Sequence, residues 1–476
     1  MVAVEEEPSS MDPRAGSDQA SDRLYRLLYR GLFKTGPRLE AEPDLAASWE
    51  RLDAMRYRVL LRPGVRFSDG RPLTAADAVF TLRSLLNGSV PSYRRGDLER
   101  VARVAATGPL SLELTLKEPY APILHALDVG VVPEGTSPRP DLPPPGCGPY
   151  RLRERVTGQW VMLEANPYAD PPPRTPTLAL KVVPDPVVRG LELRRGSADL
   201  VVNDLPPDSV AYFRRAGYLV VQAPGSNYAY LGFHCGRPPL DRPAVRHALA
   251  LAMNRGALLR HLYRGLGREA TGLLCPENWA FEPAEAAPYD PARAAALLDA
   301  EGLVPGPGGV RLRLLYKTSQ NKISRLLAAA VQQDLRRVGV EATLVSLEWG
   351  TFYGDIQRGD FDLFGLTWVG LADPDAFRLR FASAAAPPAG MNRGRYANAR
   401  VDALVEAGAR EADPQKRREI YAEVQRILAR ETPYVSLWWP DNVAVGRPGL
   451  APFTVPPDGS FAFLAGVGWN GGAPPP

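Results

Sequence analysis

Between Arg311 and Trp368 the chain alternates apolar patterns in a way that few folds accommodate. The spacing predicts a strand at 311–316, a helix at 322–338, a second strand at 340–347 and a third at 361–368. Ile323, Leu326, Leu327, Ala330, Val331, Leu335 and Val338 fall on one helical face. Gly339 then stands where a left-handed glycine ends a helix. Strand, helix and strand of these lengths form a βαβ crossover, which joins parallel strands. The chain is therefore of the α/β class. Asp290-Pro291 and Asp413-Pro414 each pair a capping carboxylate with a first-turn proline, and they start helices at 291–300 and 414–430. Residues 434–439 read as a return strand, and no internal repeat is present.

The segment 43–86 carries three local structures in fixed order. Tyr57, Val59 and Leu61 alternate with Arg58, Leu60 and Arg62, a period of two that suits a strand. Pro63-Gly64 and Asp69-Gly70 are turn dipeptides, with a short strand between them. Thr74 and Asp77 then form a capping-box pair that opens a helix with Ala78, Val79, Leu82, Leu85 and Leu86 on one face. Proline-rich loops are expected at 138–149 and 167–176, a glycine-rich one at 302–309, and a frayed tail at 471–476.

Bulk properties exclude several classes. A length of 476 residues suggests roughly three domains. The net charge is only +4, and the arginines are scattered among Asp and Glu without a like-charged block. That argues against a nucleic-acid partner. No apolar run reaches the ~18 residues a membrane span needs. Met1-Val2-Ala3-Val4 runs straight into Glu5-Glu6-Glu7, without a signal-peptide pattern. The cysteines, Cys147, Cys235 and Cys275, are odd in number and lack C-x-x-C spacing, so buried free thiols are expected, with one disulfide still open.

Seven motifs in order carry a family resemblance. LAASWE leads into the strand–turn–helix segment of 43–86, followed by SLELTLKEPYAPIL at 111–124 and GCGPYRL at 146–152. VVPDPVVRGLELRRGSADLV at 182–201, YLGFHCGRPPLDRPAVRHALALAMNR at 230–255, YDPARAAALLDAEGL at 289–303 and NRGRYANARVDALVEAG at 392–408 complete the series. Together they resemble the family 5 solute-binding proteins of ABC importers, the peptide- and nickel-type periplasmic binding proteins. Pro8 to Pro13 resembles the P-x-x-x-D-P motif that opens the family's mature domain, so the chain is expected to be trimmed of its export signal.

The resemblance implies a two-lobe periplasmic-binding-protein fold (type II, large peptide-binding cluster) with an extra subdomain. The expected first lobe is 1–34 with 148–229 and 440–476, the extra subdomain 35–147, and the second lobe 230–439. Crossing segments are expected at 227–230 and 437–442. Ligand is expected between lobes that close by hinge motion.

No catalytic constellation is legible. His125, His234, His247 and His261 form no H-E-x-x-H, and no G-x-S-x-G or Walker sequence occurs. His247 and His261 read as lying on one helix, fourteen residues apart and too far to share a metal. A literal G-x-G-x-x-G at 466–471 precedes prolines instead of a helix, so it has no phosphate-binding helix end.

Binding candidates are clearer. A solute pocket needs apolar walls and a few fixed polar groups. Trp368 ends a strand, where strand carboxyl ends line the crevice of an α/β sheet. Asn227, Tyr228 and Tyr230 mark one expected crossing and Trp438 and Trp439 the other. One of the two tryptophans should face the core and its neighbour the cleft. Lys322 and Arg325, at a helix start, are candidates for a carboxylate, which that region contacts in the peptide-binding relatives. Those relatives also place an Asp three residues after the aromatic, against the peptide α-amine. Here Leu371 occupies that place, so either Asp373 or Asp375 takes over the role or the ligand is not a free-amine peptide.

The expected function is therefore capture of a peptide-like or other small polar solute for the membrane permease of an ABC importer, without catalysis, metal or cofactor. The protein is expected to be monomeric and to lie in the periplasm or outside the cell, membrane-associated through the transporter. The alternative is a ligand-sensing module of the same fold that signals to a membrane receptor.

Overall fold

The computed structural model describes residues 1–471 except Ser17, Tyr93, Pro140, Asp141 and Ala286. The expected tail thus lies outside the described residues from 472 onward. The chain divides into two compact units, Met1–Ala223 with Asn442–Pro476, and Pro224–Asp441.

The first unit is built on a seven-stranded sheet. Its strand order is Leu219–Ala223, Asn442–Gly446, Leu200–Val202, Val2–Val4, Thr177–Val182, Trp160–Ala165 and Tyr150–Val156. Val2–Val4 pairs in parallel with both neighbours, and the outer pairings are antiparallel. A second, four-stranded antiparallel sheet orders Ala46–Arg51, Arg56–Leu61, Ser111–Leu116 and Val101–Gly108. Tyr57, Val59 and Leu61 are buried, as the alternation predicts. Helix Ala75–Leu86 packs on this sheet. Its N-terminus is closed by Asp77, whose carboxylate accepts from the Thr74 amide at 2.8 Å and hydroxyl at 2.9 Å. That pairing satisfies a donor the helix itself leaves open.

The second unit holds a six-stranded sheet in the order Gly267–Glu269, Tyr434–Pro440, Tyr228–Phe233, Leu363–Trp368, Leu312–Ser319 and Val340–Leu347. The βαβ crossover is present. Leu312–Ser319 runs parallel to Val340–Leu347, and helix Lys322–Arg336 packs against both. Leu327, Ala328, Val331 and Leu335 bury that helix in a core shared with Leu314, Val340 and Leu363. Truncating such a leucine to Ala costs about 2–5 kcal/mol.

The central strand Tyr228–Phe233 is buried at all six positions and has two distinct faces. Ala229, Leu231 and Phe233 enter the main core, while Tyr228, Tyr230 and Gly232 face the other way. Gly232 is required by its neighbour: it pairs with Phe364, and a Cβ there would meet that ring at 2.5 Å.

One expectation is corrected. His247 and His261 lie on two helices, Pro243–Leu251 and Arg255–Leu262. The break comes at Asn254, whose side chain caps the second helix by accepting from the Ala257 amide at 3.0 Å.

Candidate functional site

The register of the second sheet gathers several strand ends at one edge. Tyr316 aligns with Leu363 and Ser319 with Leu347, so the three parallel strands finish together. The antiparallel strand Tyr228–Phe233 starts at the same edge, with Tyr228 opposite Trp368. Ligand sites of open α/β sheets lie outside such carboxyl ends.

Alternation then builds an aromatic wall on the face away from the main core. The Tyr228 and Tyr230 rings stack with centroids 5.7 Å apart and an interplanar angle of 6°. Tyr230 stacks on Trp368 at 5.8 Å and 8°, and on Tyr434 at 4.2 Å. Phe364 meets Tyr230 edge-on, and Phe381 packs on Tyr434 at 4.9 Å. The Tyr228 hydroxyl lies 2.7 Å from that of Ser436. Burial pushes the Tyr230 phenol up to about 12, so it stays neutral.

A register shift on strand Tyr434–Pro440 decides which of its side chains join this wall. Tyr230 pairs with Ser436, but Ala229 pairs with Trp438. This β-bulge places the adjacent Leu437 and Trp438 in the main core together. Trp438 is fully buried there against Tyr263. Trp439 is also buried; its indole donates to the Gly272 carbonyl at 3.1 Å, and its ring meets Phe281.

Two arginines complete the wall. The guanidinium carbon of Arg380 sits 4.3 Å from the Trp368 ring centroid, and that of Arg393 sits 4.0 Å from it. Each side chain is 8% exposed. The two cations lie within about 8 Å of each other, where like charges repel by about 2 kcal/mol at an effective dielectric of about 20. Among the described residues Arg380 donates one side-chain hydrogen bond, from Nη1 to the Ala376 carbonyl at 3.1 Å. Among the described residues the Arg393 side chain donates to two phenols, Tyr230 at 3.3 Å and Tyr353 at 3.2 Å. Arg380 Nε, Arg393 Nε and Trp368 Nε1 are buried without an acceptor among the described residues. Burial pulls the Arg380 guanidinium down to about 10. At Arg393 the phenol oxygens, led by Tyr230, outweigh the burial penalty and raise it.

The two carboxylates after Trp368 are held by other arginines. Asp373 receives Arg417 through two bonds, 2.8 and 2.6 Å long. Asp375, 3% exposed, receives Arg378 through bonds of 2.8 and 2.7 Å. Leu371 is 2% exposed. Lys322 and Arg325 are exposed, and the amides at their helix start are taken by the Asn321 side chain, which accepts from Ile323 and Ser324. Asn227 is half-buried just ahead of the central strand. Tyr228, Tyr230 and Trp368 are thus brought together, while no described contact joins Lys322 or Arg325 to them.

Sequence reasoning missed Arg380, Arg393, Tyr353 and Tyr434. The available signal was Arg378 and Arg380 interrupting the apolar run Ala376–Phe381.

Each unit contains a cavity lined by described residues. In the second unit, Tyr228, Phe381, Tyr434 and Ser436 help line a volume of about 70 Å³, room for about two waters. In the first unit, Tyr25, Tyr29, Cys147 and a charged network surround about 360 Å³. There Asp128 accepts from Arg26 and Arg94, both at 2.6 Å, and Asp44 accepts from Arg30 at 2.6 Å. Among the described residues no group of three or more His, Cys, Asp or Glu is placed to hold a metal ion. The three cysteines are free, with Cys147 and Cys275 buried. No helix among the described residues is long and apolar enough to cross a membrane.

Comparison with known proteins agrees with this architecture. Residues 40–387 match the family model for bacterial extracellular solute-binding proteins, family 5. Protein XP55 of Streptomyces lividans is 31% identical over 464 residues, covering 94% of this chain and 84% of that protein. The dipeptide-binding protein of Escherichia coli K12 is 28% identical, covering 87% of this chain and 83% of its own. The crystal structure of the ABC transporter substrate-binding protein CtaP from Listeria monocytogenes superposes with a TM-score of 0.88 at 24% identity, covering 98% of both chains. The fold is accordingly the two-lobe α/β fold of periplasmic binding proteins, and the sensory-module alternative gains no support from these relatives. The chain belongs to the family 5 bacterial extracellular solute-binding proteins, the substrate-binding components of ABC importers.

Proposed function

We propose that the protein captures a small solute against the aromatic wall of Tyr228, Tyr230 and Trp368 and passes it to a membrane permease, and that the solute is not a peptide led by a free ammonium. The observation carrying this reading is that Asp373 and Asp375 are each held by an arginine, while buried Leu371 stands where peptide-binding relatives place an acid. An ammonium ion taken out of water without a carboxylate costs several kcal/mol, by order of magnitude. The dipeptide-binding relative therefore supports the transport role and not the same ligand. The protein acts as a monomer, binds no nucleic acid and makes no covalent bond. Its work is ligand-driven selection of a closed state, which requires tighter binding to closed than to open.

Native mass spectrometry of the purified protein tests the reading by identifying a copurified solute, and calorimetry with alanyl-alanine and tri-alanine tests its exclusion. No heat is expected from either peptide. Tight binding of both would refute the exclusion. Small-angle scattering should show a smaller radius of gyration once the copurified solute is restored to stripped protein.

A further inference from the structure

Buried arginines elsewhere in the second unit show what a purely structural guanidinium looks like in this protein. Arg246, 2% exposed, donates to the carbonyls of Glu431, Thr432, Leu240 and Asp241. Arg417 grips Asp373 with two bonds and the Gly408 carbonyl with a third. Both use every nitrogen of the guanidinium. Arg380 and Arg393 do not: among the described residues each has a buried Nε without an acceptor, and the Trp368 indole N–H beside them is in the same condition. The carboxylate acting most on Arg380, that of Asp375, is already bound to Arg378. Asp375 and Asp373 are thus taken by Arg378 and Arg417, and among the described residues neither Arg380 nor Arg393, the two cations on Trp368, makes an ion pair.

A guanidinium fork presents parallel N–H groups that fit the two oxygens of a carboxylate, and an indole N–H adds a third donor. A buried ion left alone is costly, and a buried ion completed by its counter-ion is not. We propose that Arg380 and Arg393, with the Trp368 indole N–H, receive a carboxylate borne by the solute, so that this member of the family selects acids. The inference rests on the solute-binding reading and deepens it. It inverts the charge logic of ammonium recognition: the position after the strand is apolar at Leu371, and the buried groups without partners there among the described residues are two guanidinium Nε–H, the Trp368 indole N–H and the Tyr434 hydroxyl, none of them an anion.

The test uses the full chain, with N-acetyl-alanyl-alanine as free acid, the same compound as its C-terminal amide, and sodium chloride at matched ionic strength. The acid should raise the melting temperature and bind at least tenfold more tightly than the amide, with chloride inert. Arg380→Met and Arg393→Met should each weaken acid binding at least tenfold, yet melt no lower than the parent without ligand, because each removes an uncompensated buried charge. Arg246→Met, which strips a saturated donor set, should melt well below the parent. If a methionine variant does not fold, Arg380→Lys keeps the charge and loses the fork, and intermediate acid affinity is expected. Equal binding of acid and amide overturns the proposal, as does acid binding unchanged in both methionine variants. Failure of every carboxylate probe also overturns it, while a copurified non-acidic solute seen by native mass spectrometry would leave the transport reading standing.

Discussion

Arg417 holds Asp373 through two hydrogen bonds, Nη1 to Oδ2 at 2.8 Å and Nη2 to Oδ1 at 2.6 Å, with both side chains largely buried. The same Asp373 accepts from the Asp375 amide at 2.7 Å, so one carboxylate fixes the loop that follows Trp368. Burial opposes the charge on Arg417, but Asp373 more than restores it and raises the guanidinium above its ordinary value. Asp373→Ala leaves that cation buried and unpaired. The variant should lose about 3–5 kcal/mol in urea unfolding. A ligand role for Asp373 would instead leave unfolding nearly unchanged and abolish solute binding.

The approach of Gly232 to Phe364 gives a packing prediction. Gly232→Ala puts a methyl into the Phe364 ring, which is itself pinned between Tyr230 and Phe361. A loss of about 1–3 kcal/mol is expected, read as a lower denaturation midpoint at constant slope.

Acid should weaken the first unit through Asp128. Burial pushes this carboxyl up, but the guanidiniums of Arg26 and Arg94 pull it well below the usual carboxylate range. A depressed folded-state value means the stabilisation is complete above the unfolded carboxyl pKa, about 3.9, and is lost as pH falls through the lower folded value. Melting temperature against pH should therefore drop steeply below about pH 4. Asp128→Asn should flatten that limb and start from a lower plateau.

Trp368 should matter more for binding than its burial suggests. Trp368→Leu removes the surface shared by Tyr230, Arg380 and Arg393. Calorimetry with the copurified solute should show affinity at least tenfold weaker, a loss of about 1.4 kcal/mol or more. Unchanged affinity would place the solute elsewhere.

The parts of the fold set by local periodicity were readable from the chain. The crossover over 312–347, the Thr74–Asp77 box and the caps at Asp290 and Asp413 depend on residues within a few positions of one another. Tyr228, Tyr230 and Trp368 were readable because strand ends and aromatics coincide. Arg393 was not, and Arg380 showed only as an interruption of the apolar run Ala376–Phe381, a pattern shared with Arg378, which is paired. Their meaning comes from contacts with Trp368, twelve or more residues away along the chain. The break at Asn254 was hidden for a similar reason, since the apolar pattern runs on through a capping residue.

The bulge opposite Ala229 and Tyr230 has a consequence for how the wall can be altered. Upstream of the extra residue, Tyr434 and Ser436 belong to the aromatic wall; downstream, Leu437 and Trp438 belong to the core. Before the bulge, wall and core positions alternate, with Val435 in the core between Tyr434 and Ser436; at the bulge two successive residues turn to the core. Deleting a single residue there would restore strict alternation and reverse the facing of the residues downstream of it. Substitution at 434 or 436 therefore alters the wall one side chain at a time, whereas a shift in chain length would re-aim the whole strand beyond the bulge.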